Sequence, residues 1–336
     1  EMKPYVDSVH CLSRGDSGKG KIAYKLGNCD DYDIIARSSG AQNCGHTVIH
    51  NEQKFVTHII PQAVFHNKLA VIGPLCYFNV KLLWQEIDSL EKCGINVRSN
   101  LKIAYNSHIV LDSHIAEEAN ETRIGTTKRG VGPCARDKYA RIGVRAESVP
   151  ELKDYLVDTV LLFNDQKYKG ILFEGAQGFW LDINSRDYPF TTSSSVGVDS
   201  VIASGVSPFS IRNIFGVIKA YDTYVGSKFF EPTWTSDRLL FEHIRNLGAE
   251  FGSTTGRPRQ VNWLDVDELL YAARATDITK LYVNKCDVLE QVSVFKLYYL
   301  NELVQFNSFK EMQLFIEEKL NNVLNRKIDV EYGYAP

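Results

Sequence analysis

The chain has seven cysteines and not one Cys-x-x-Cys pair. Scattered at positions 11, 29, 44, 76, 93, 134 and 286, they offer neither a zinc ribbon nor a disulfide framework. That is the usage of a reduced, cytoplasmic protein. No apolar run reaches the ~18 residues of a membrane span, and no signal peptide is visible, so no membrane association is expected. The net charge over 336 residues is only −3, with a pI of about 6.3. Bulk electrostatic binding of nucleic acid is therefore not expected either. Internal repeats, low-complexity runs and clear linkers are also missing. A single domain over residues 2–336 is the expectation, and the length is ample for a large core.

What is present is alternation. Strands are expected at 5–12, 32–36, 69–73, 170–174, 213–219 and 280–284. Helices are expected at 79–92, closed by Gly94, and at 149–163 after Ser148, with Pro150 in the first turn. Further helices are expected at 236–246, 264–275 and 308–324. Strands alternating with helices predict an α/β fold, with a large, mostly parallel central sheet flanked by helices. The Gly-, Ser- and Thr-rich stretches at 38–47, 125–133, 184–199 and 252–260 are longer than ordinary connectors, and loops of that kind are often functional.

The sharpest local signal is Gly15-Asp16-Ser17-Gly18-Lys19-Gly20-Lys21. It sits between a strand and a helix, which is how backbone N–H groups come to face a phosphate. Gly15, Gly20 and Lys21 match the start of a P-loop, but Ile22 stands where a Ser or Thr hydroxyl should hold Mg²⁺. Asp16 supplies a carboxylate inside the loop instead. Taken alone, the loop also fits a tight turn that packs a helix on a strand. Asn284-Lys285-Cys286-Asp287, after a strand, can hold a guanine through its carboxylate, or can simply cap a helix.

Further blocks follow. Asn43-Cys44-Gly45-His46-Thr47 sets an imidazole beside a glycine that lets backbone approach a ligand. Gly125 to Pro133 mixes hydroxyls and cations, with Asp137-Lys138 and Arg141 beyond. Glu174-Gly175-Ala176-Gln177-Gly178 ends a strand with an amide able to read a base edge. Tyr188 to Ser194 adds hydroxyls. Ser253 to Arg259 adds two arginines suited to carboxylate or phosphate.

In this order, from about Val9 to Leu289 and including Gly216 to Gly226 and Trp263-Leu264-Asp265, the blocks resemble the adenylosuccinate synthetase family. The resemblance implies a C–N ligase joining L-aspartate to the 6-position of a purine nucleotide, driven by a nucleoside triphosphate with Mg²⁺, and usually a homodimer. It implies Asp16 as base and metal ligand, His46 as acid, and Gly45 as a second metal ligand through its carbonyl, with Gln177 also in the catalytic set. Gly15, Gly18, Lys19, Gly20 and Lys21 map onto the phosphate loop, with Gly45, His46 and Thr47 also on the triphosphate side. Lys285 and Asp287 map onto the triphosphate's base site. Asn43, Thr127, Gln177 and Thr192 map onto monophosphate and purine contacts, and Val225 with Arg257 onto the sugar. Thr254, Thr255, Arg257 and Arg259 map onto the aspartate loop, and Arg141 onto the arginine that enters the partner subunit's site.

The departures are specific. Arg14 replaces the family's tryptophan, Ser17 its glutamate, Ser39 a glutamine and Tyr224 an arginine. The family's Ser-x-Gly-Pro near the C-terminus is replaced by Tyr332-Gly333-Tyr334-Ala335-Pro336. ATP or dATP therefore joins GTP as an expected donor. With Ser17 beside the base, the chain resembles the bacteriophage branch, which makes N6-succino-2-aminoadenylate from dGMP. Ser17 could give the extra C2 amine room or a hydrogen bond. An ordinary IMP enzyme is the alternative. A phage-encoded enzyme would act in the host cytoplasm. A GTP-dependent switch fits less well, because no Asp-x-x-Gly block accompanies the loop. A catalytically dead binding protein would have no need to keep Asp16, His46 and Gln177.

Overall fold

A computed structural model describes residues 2–335. Its centre is a nine-stranded sheet: β1 (Tyr5–Cys11), β2 (Ile34–Arg37), β3 (Leu69–Ile72), β4 (Leu101–Ala104), β5 (Leu156–Val157), β6 (Gly170–Glu174), β7 (Ile211–Lys219), β8 (Lys280–Asn284) and β9 (Asp329–Tyr332). The spatial order is β9-β8-β7-β1-β6-β2-β3-β4-β5, and every neighbouring pair is parallel. The expected mostly parallel sheet is in fact parallel throughout. Its central strands are buried on both faces, so they read as continuous apolar runs; all four residues of β2 are buried.

Successive side chains leave the sheet on opposite faces. Val9, Ile35, Ile72, Leu172 and Val217 enter one buried cluster. Val6, Ile34, Val71, Ile171 and Phe173 enter a second, on the other face. Further along, Ile218, Leu281 and Val283 join a third, built around Trp263, Phe241 and Leu320. Burying each aliphatic side chain of this kind contributes about 1.5–3 kcal/mol.

Helices cover these clusters: α1 (Lys19–Gly27), α2 (Val80–Lys92), α3 (Val131–Ala140), α4 (Arg238–Leu247), α5 (Val266–Thr276), α6 (Cys286–Val292) and α7 (Phe309–Leu324). Asn79, expected inside α2, caps it instead: its side chain accepts from the Leu82 N–H at 3.1 Å. Asp265 and Ser308 cap α5 and α7 in the same way. A smaller sheet of Tyr221–Tyr224, Gln260–Asp265, Phe295–Tyr299 and Glu302–Phe306 packs into the third cluster.

The single helix expected at 149–163 does not form. A 3-10 turn runs from Pro150 to Tyr155, β5 pairs with β4, and a short helix restarts at Thr159. Two forces outweigh the Ser148 and Pro150 start signal. Leu156 and Val157 satisfy a sheet edge, and the Asp158 carboxylate caps the N–H groups of Val160 and Leu161. The edge strands β5 and β9, and β4 beside β5, were not among the expected ones.

In a parallel sheet the strand carboxyl ends share one edge, and ligands bind there. The segments after β1, β2, β4, β6, β7 and β8 leave from that edge, and they carry the blocks singled out above.

Candidate active site

The loop after β1 is built from left-handed residues: Gly15 at φ 84°, Asp16 at φ 53° and Gly18 at φ 90°. At Gly18 the need for glycine is double. Beyond its φ, a Cβ there would lie 2.5 Å from the Asn284 amide nitrogen. That amide donates to the Ser17 carbonyl at 2.8 Å, tying the loop to the end of β8. The first N–H groups of α1 have no intrahelical acceptor and face outward past the loop.

One cavity of about 630 Å³ opens beside this loop. Gly15, Asp16 and Lys19 line it from below; Asn43, Gly45 and His46 line it from the loop after β2. Thr127, Gln177, Thr192 and Val225 complete one wall, and Thr254, Thr255 and Arg257 the other. Gln177 donates to the Asn43 side-chain oxygen at 3.1 Å, which fixes both amides.

His46 is 4% exposed. Its Nδ1 meets Glu174 Oε1 at 2.5 Å. Nε2 has no partner among the described residues and is the nitrogen left for a ligand. Glu174 closes β6, and its other oxygen accepts from the Gln62 N–H at 2.9 Å. Burial pushes the Glu174 carboxyl up. The His46 hydrogen bond and charge, with Arg37 and the Gln62 amide, outweigh burial and hold it below the usual carboxylate range. Cys44, in the same wall, receives Arg37 Nη2 at 3.1 Å. Burial raises its thiol, but Arg37 and His46 prevail and bring it down to about 6.

Asp16 faces a guanidinium. Arg259 Nη2 lies 3.3 Å from its Oδ1, and Arg259 Nη1 lies 2.6 Å from buried Glu250. Arg259 itself sits behind the cavity rather than in its wall. The described residues contain no group of three His, Cys, Asp or Glu able to hold a metal. A divalent cation here would rest on the Asp16 carboxylate, the Gly45 carbonyl and ligand phosphates. One carboxylate plus phosphate oxygens is the donor set of Mg²⁺, so these residues fit it.

The remaining predicted residues lie outside the cavity wall. Ser17 is 1% exposed and its hydroxyl has no partner among the described residues; it lies beneath the loop, not against the cavity. Gly20 and Lys21 belong to the first turn of α1. Thr47 is exposed on the strand that begins at His46. Lys21 Nζ donates to the Ala335 carbonyl at 2.9 Å. Burial, then the Lys285 charge, lowers the Lys21 ammonium. Lys285 donates to the Gly248 carbonyl at 2.7 Å. One oxygen of Asp287 is buried without a partner among the described residues. Arg141 is exposed at the end of α3.

Three partnerships were not visible in the sequence. Arg14 lines the cavity and is held by Asp187 at 3.0 Å and by Glu268 at 2.6 Å and 3.1 Å. Glu174 pairs with His46; a carboxylate closing a buried strand was its signal. Glu250 and Lys219 stand behind Arg259, and both are charged residues at the margins of predicted elements.

A model of the adenylosuccinate synthetase family matches residues 9–153 and 146–313. The adenylosuccinate synthetase of Thermodesulfovibrio yellowstonii is 38% identical over 333 residues, covering 84% of this chain and 77% of that one. That of Staphylococcus epidermidis is 35% identical over 336 residues, covering 84% and 78%. Fully ligated adenylosuccinate synthetase from Plasmodium falciparum superposes with a TM-score of 0.86 at 25% identity, over 99% of this chain and 98% of that one. The cyanophage S-2L succinoaminodeoxyadenylate synthetase, bound to dGMP and dATP as an energy donor, gives a TM-score of 0.75 at 19% identity, over 100% and 94%. At that identity the likeness is one of fold.

Proposed function

The chain belongs to the adenylosuccinate synthetase family, ligases that join L-aspartate to a purine nucleotide through a C–N bond, and we propose that its acceptor is dGMP, with Asp16 and His46 carrying the chemistry. The observation behind this division of labour is a carboxylate and an imidazole, each already paired, lining one cavity.

A purine 6-oxo group leaves poorly. Asp16 takes the N1 proton, which makes O6 a nucleophile toward the γ-phosphoryl group, and the nucleoside diphosphate departs. His46 Nε2 donates to the phosphoryl oxygens, while Glu174 holds the opposite nitrogen and stabilises the imidazolium. The amine of L-aspartate then attacks C6; the phosphorylated O6 leaves as phosphate and the amine loses a proton. Asp16 and the Gly45 carbonyl would hold Mg²⁺, which would supply charge neutralisation on the triphosphate. Lys19 and the α1 N-terminus bind phosphate, Asn43 with Gln177 the nucleotide, and Thr254, Thr255, Arg257 and Arg259 the aspartate carboxylates. Arg257 Nε and Arg259 Nε are both buried without a partner among the described residues, as donors awaiting an anion would be.

The dGMP reading rests on the ground next to Asp16. A small neutral hydroxyl, Ser17, stands where the family places a glutamate, and it is buried and unpartnered. Loss of that anion changes both volume and charge beneath the purine site. ATP or dATP is the proposed donor, with GTP as alternative, because Tyr332-Gly333-Tyr334-Ala335-Pro336 stands where the family carries Ser-x-Gly-Pro. A homodimer is proposed, with Arg141 reaching the partner from a surface where Tyr139 is 75% and Ile142 72% exposed. The second reading is IMP with GTP, favoured by the 38% identity to an ordinary bacterial synthetase.

Turnover of dGMP, GMP and IMP with L-aspartate, with product mass as readout, separates the two. The dGMP reading expects a succinyl adduct of dGMP as the main product, and expects Ser17→Glu to shift preference toward IMP. IMP turnover with none on dGMP overturns it.

A further inference from the structure

Glu250 takes no part in the chemistry above, yet it is completely buried. Its Oε1 accepts from Lys219 Nζ at 3.0 Å and from Arg259 Nη1 at 2.6 Å. Its Oε2 accepts from the Tyr221 hydroxyl at 2.5 Å. Lys219, 2% exposed at the end of β7, also meets the Thr223 hydroxyl at 2.5 Å. The carboxylate is thus fixed to the central sheet on one side and to Arg259 on the other. Burial pushes Glu250 up, but Lys219 and Arg259 outweigh it and hold the group at about 2.

The same two residues form the neck of a loop. The Arg259 N–H donates to the Glu250 carbonyl at 3.0 Å, and the Gly252 N–H to the Arg257 carbonyl at 2.8 Å. Phe251 and Pro258 bridge between them. Arg245 Nε closes on the Arg259 carbonyl at 2.6 Å. The loop so closed carries Thr254, Thr255 and Arg257 into the cavity wall.

Lys219 and Arg259 share one carboxylate oxygen. With a neutral amide there, two buried cations would face each other with no anion between them, and the mobile partner is the arginine on the loop. Asp16 would still attract Arg259 from the far side, but the neck would have lost its side-chain anchor.

We propose that Glu250 is a positioning residue for the amino-acid substrate: clamped by Lys219 and Tyr221, it holds Arg259 and the neck of the 251–258 loop where the carboxylates of L-aspartate are received. The proposal rests on the assignment of this loop and Arg259 to aspartate.

The test is steady-state kinetics on the whole chain, with KM measured separately for L-aspartate, the purine monophosphate and the triphosphate. Glu250→Gln raises KM for L-aspartate about tenfold or more, the scale of a charged hydrogen bond, and moves the nucleotide KM values by less than about twofold. Glu250→Asp recovers part of the loss. Arg259→Met raises the same KM, and the double variant is no worse than Arg259→Met alone, because both act through one group. Tyr221→Phe keeps the charge and drops one bond; it gives a smaller rise of the same selectivity and serves if Glu250→Gln does not fold. A uniform rise in all three KM values overturns the proposal. So does an unchanged L-aspartate KM in folded Glu250→Gln or Tyr221→Phe, or costs that multiply in the double variant. Arg259→Met with a wild-type L-aspartate KM overturns the aspartate assignment itself, and the clamp with it.

Discussion

Around Asp16 the charges are paired within the protein: Asp16 with Arg259, Arg259 with Glu250, Glu250 with Lys219, and His46 with Glu174. Around Asp287 the pattern differs. One carboxylate oxygen is buried with no partner among the described residues, and Lys285 spends its ammonium on a backbone carbonyl. Both regions sit at carboxyl ends of the same sheet, after β1 and β8. Under the proposed mechanism the first has its donors and acceptors fixed where charge would develop, leaving little reorganisation for the reaction. In the second, the proposed donor-base site, a carboxylate oxygen is left that a ligand donor would satisfy. The reaction centre should therefore govern rate, and the donor end should govern which triphosphate binds.

The sharpest break of that contrast is Asp16→Asn. It keeps the shape of the loop and removes the proposed base, and kcat should fall about 10²–10⁴-fold. Nucleotide affinity, read by titration calorimetry, should persist. Next is Glu174→Gln. His46 loses the anion that fixes its ring and supports its charge, and kcat should fall about a hundredfold with KM values little changed in single-turnover and steady-state assays. At the other region Asp287→Asn should leave kcat nearly intact and raise KM for the triphosphate about tenfold, the size of a lost charged hydrogen bond. Equal damage to kcat at both ends would erase the distinction.

The smallest effect is on acid stability. Glu250 is held at about 2, against an unfolded value of 4.5. A depressed carboxyl lends stability above its unfolded value and loses it as pH falls through the folded one. That contribution should thus drain between about pH 4.5 and pH 2. Thermal denaturation of Glu250→Gln across this window should show a flatter pH dependence than the wild type.

Much of this was legible in the sequence because glycine and strand signals are local. Residues 170–174 and 280–284 form strands within their expected bounds, and the loops after them carry Gln177 and Lys285. Gly15 and Gly18 occupy left-handed positions that glycine favours. The helix at 149–163 failed because the start signal of Ser148 and Pro150 carries no sign that Leu156 and Val157 would serve a sheet edge. Partnerships were the least visible. His46 and Glu174 are 128 positions apart, and Arg14 and Glu268 are 254 apart. Only the order of the sheet brings such pairs together, so the residues proposed to meet ligand could be named while those that hold them in place could not. Ser17 is the instructive case: its identity was conspicuous, but its burial beneath the loop was not readable from the chain.

The central claim is that O6 of the purine is phosphorylated and then displaced by aspartate at the Asp16–His46 centre. Turnover of a nucleotide carrying ¹⁸O at C6 tests it directly, with mass spectrometry of the released phosphate. The account predicts one ¹⁸O atom in that phosphate for each succinyl product formed, and loss of both signals together in Asp16→Asn. Product formation accompanied by unlabelled phosphate would contradict it.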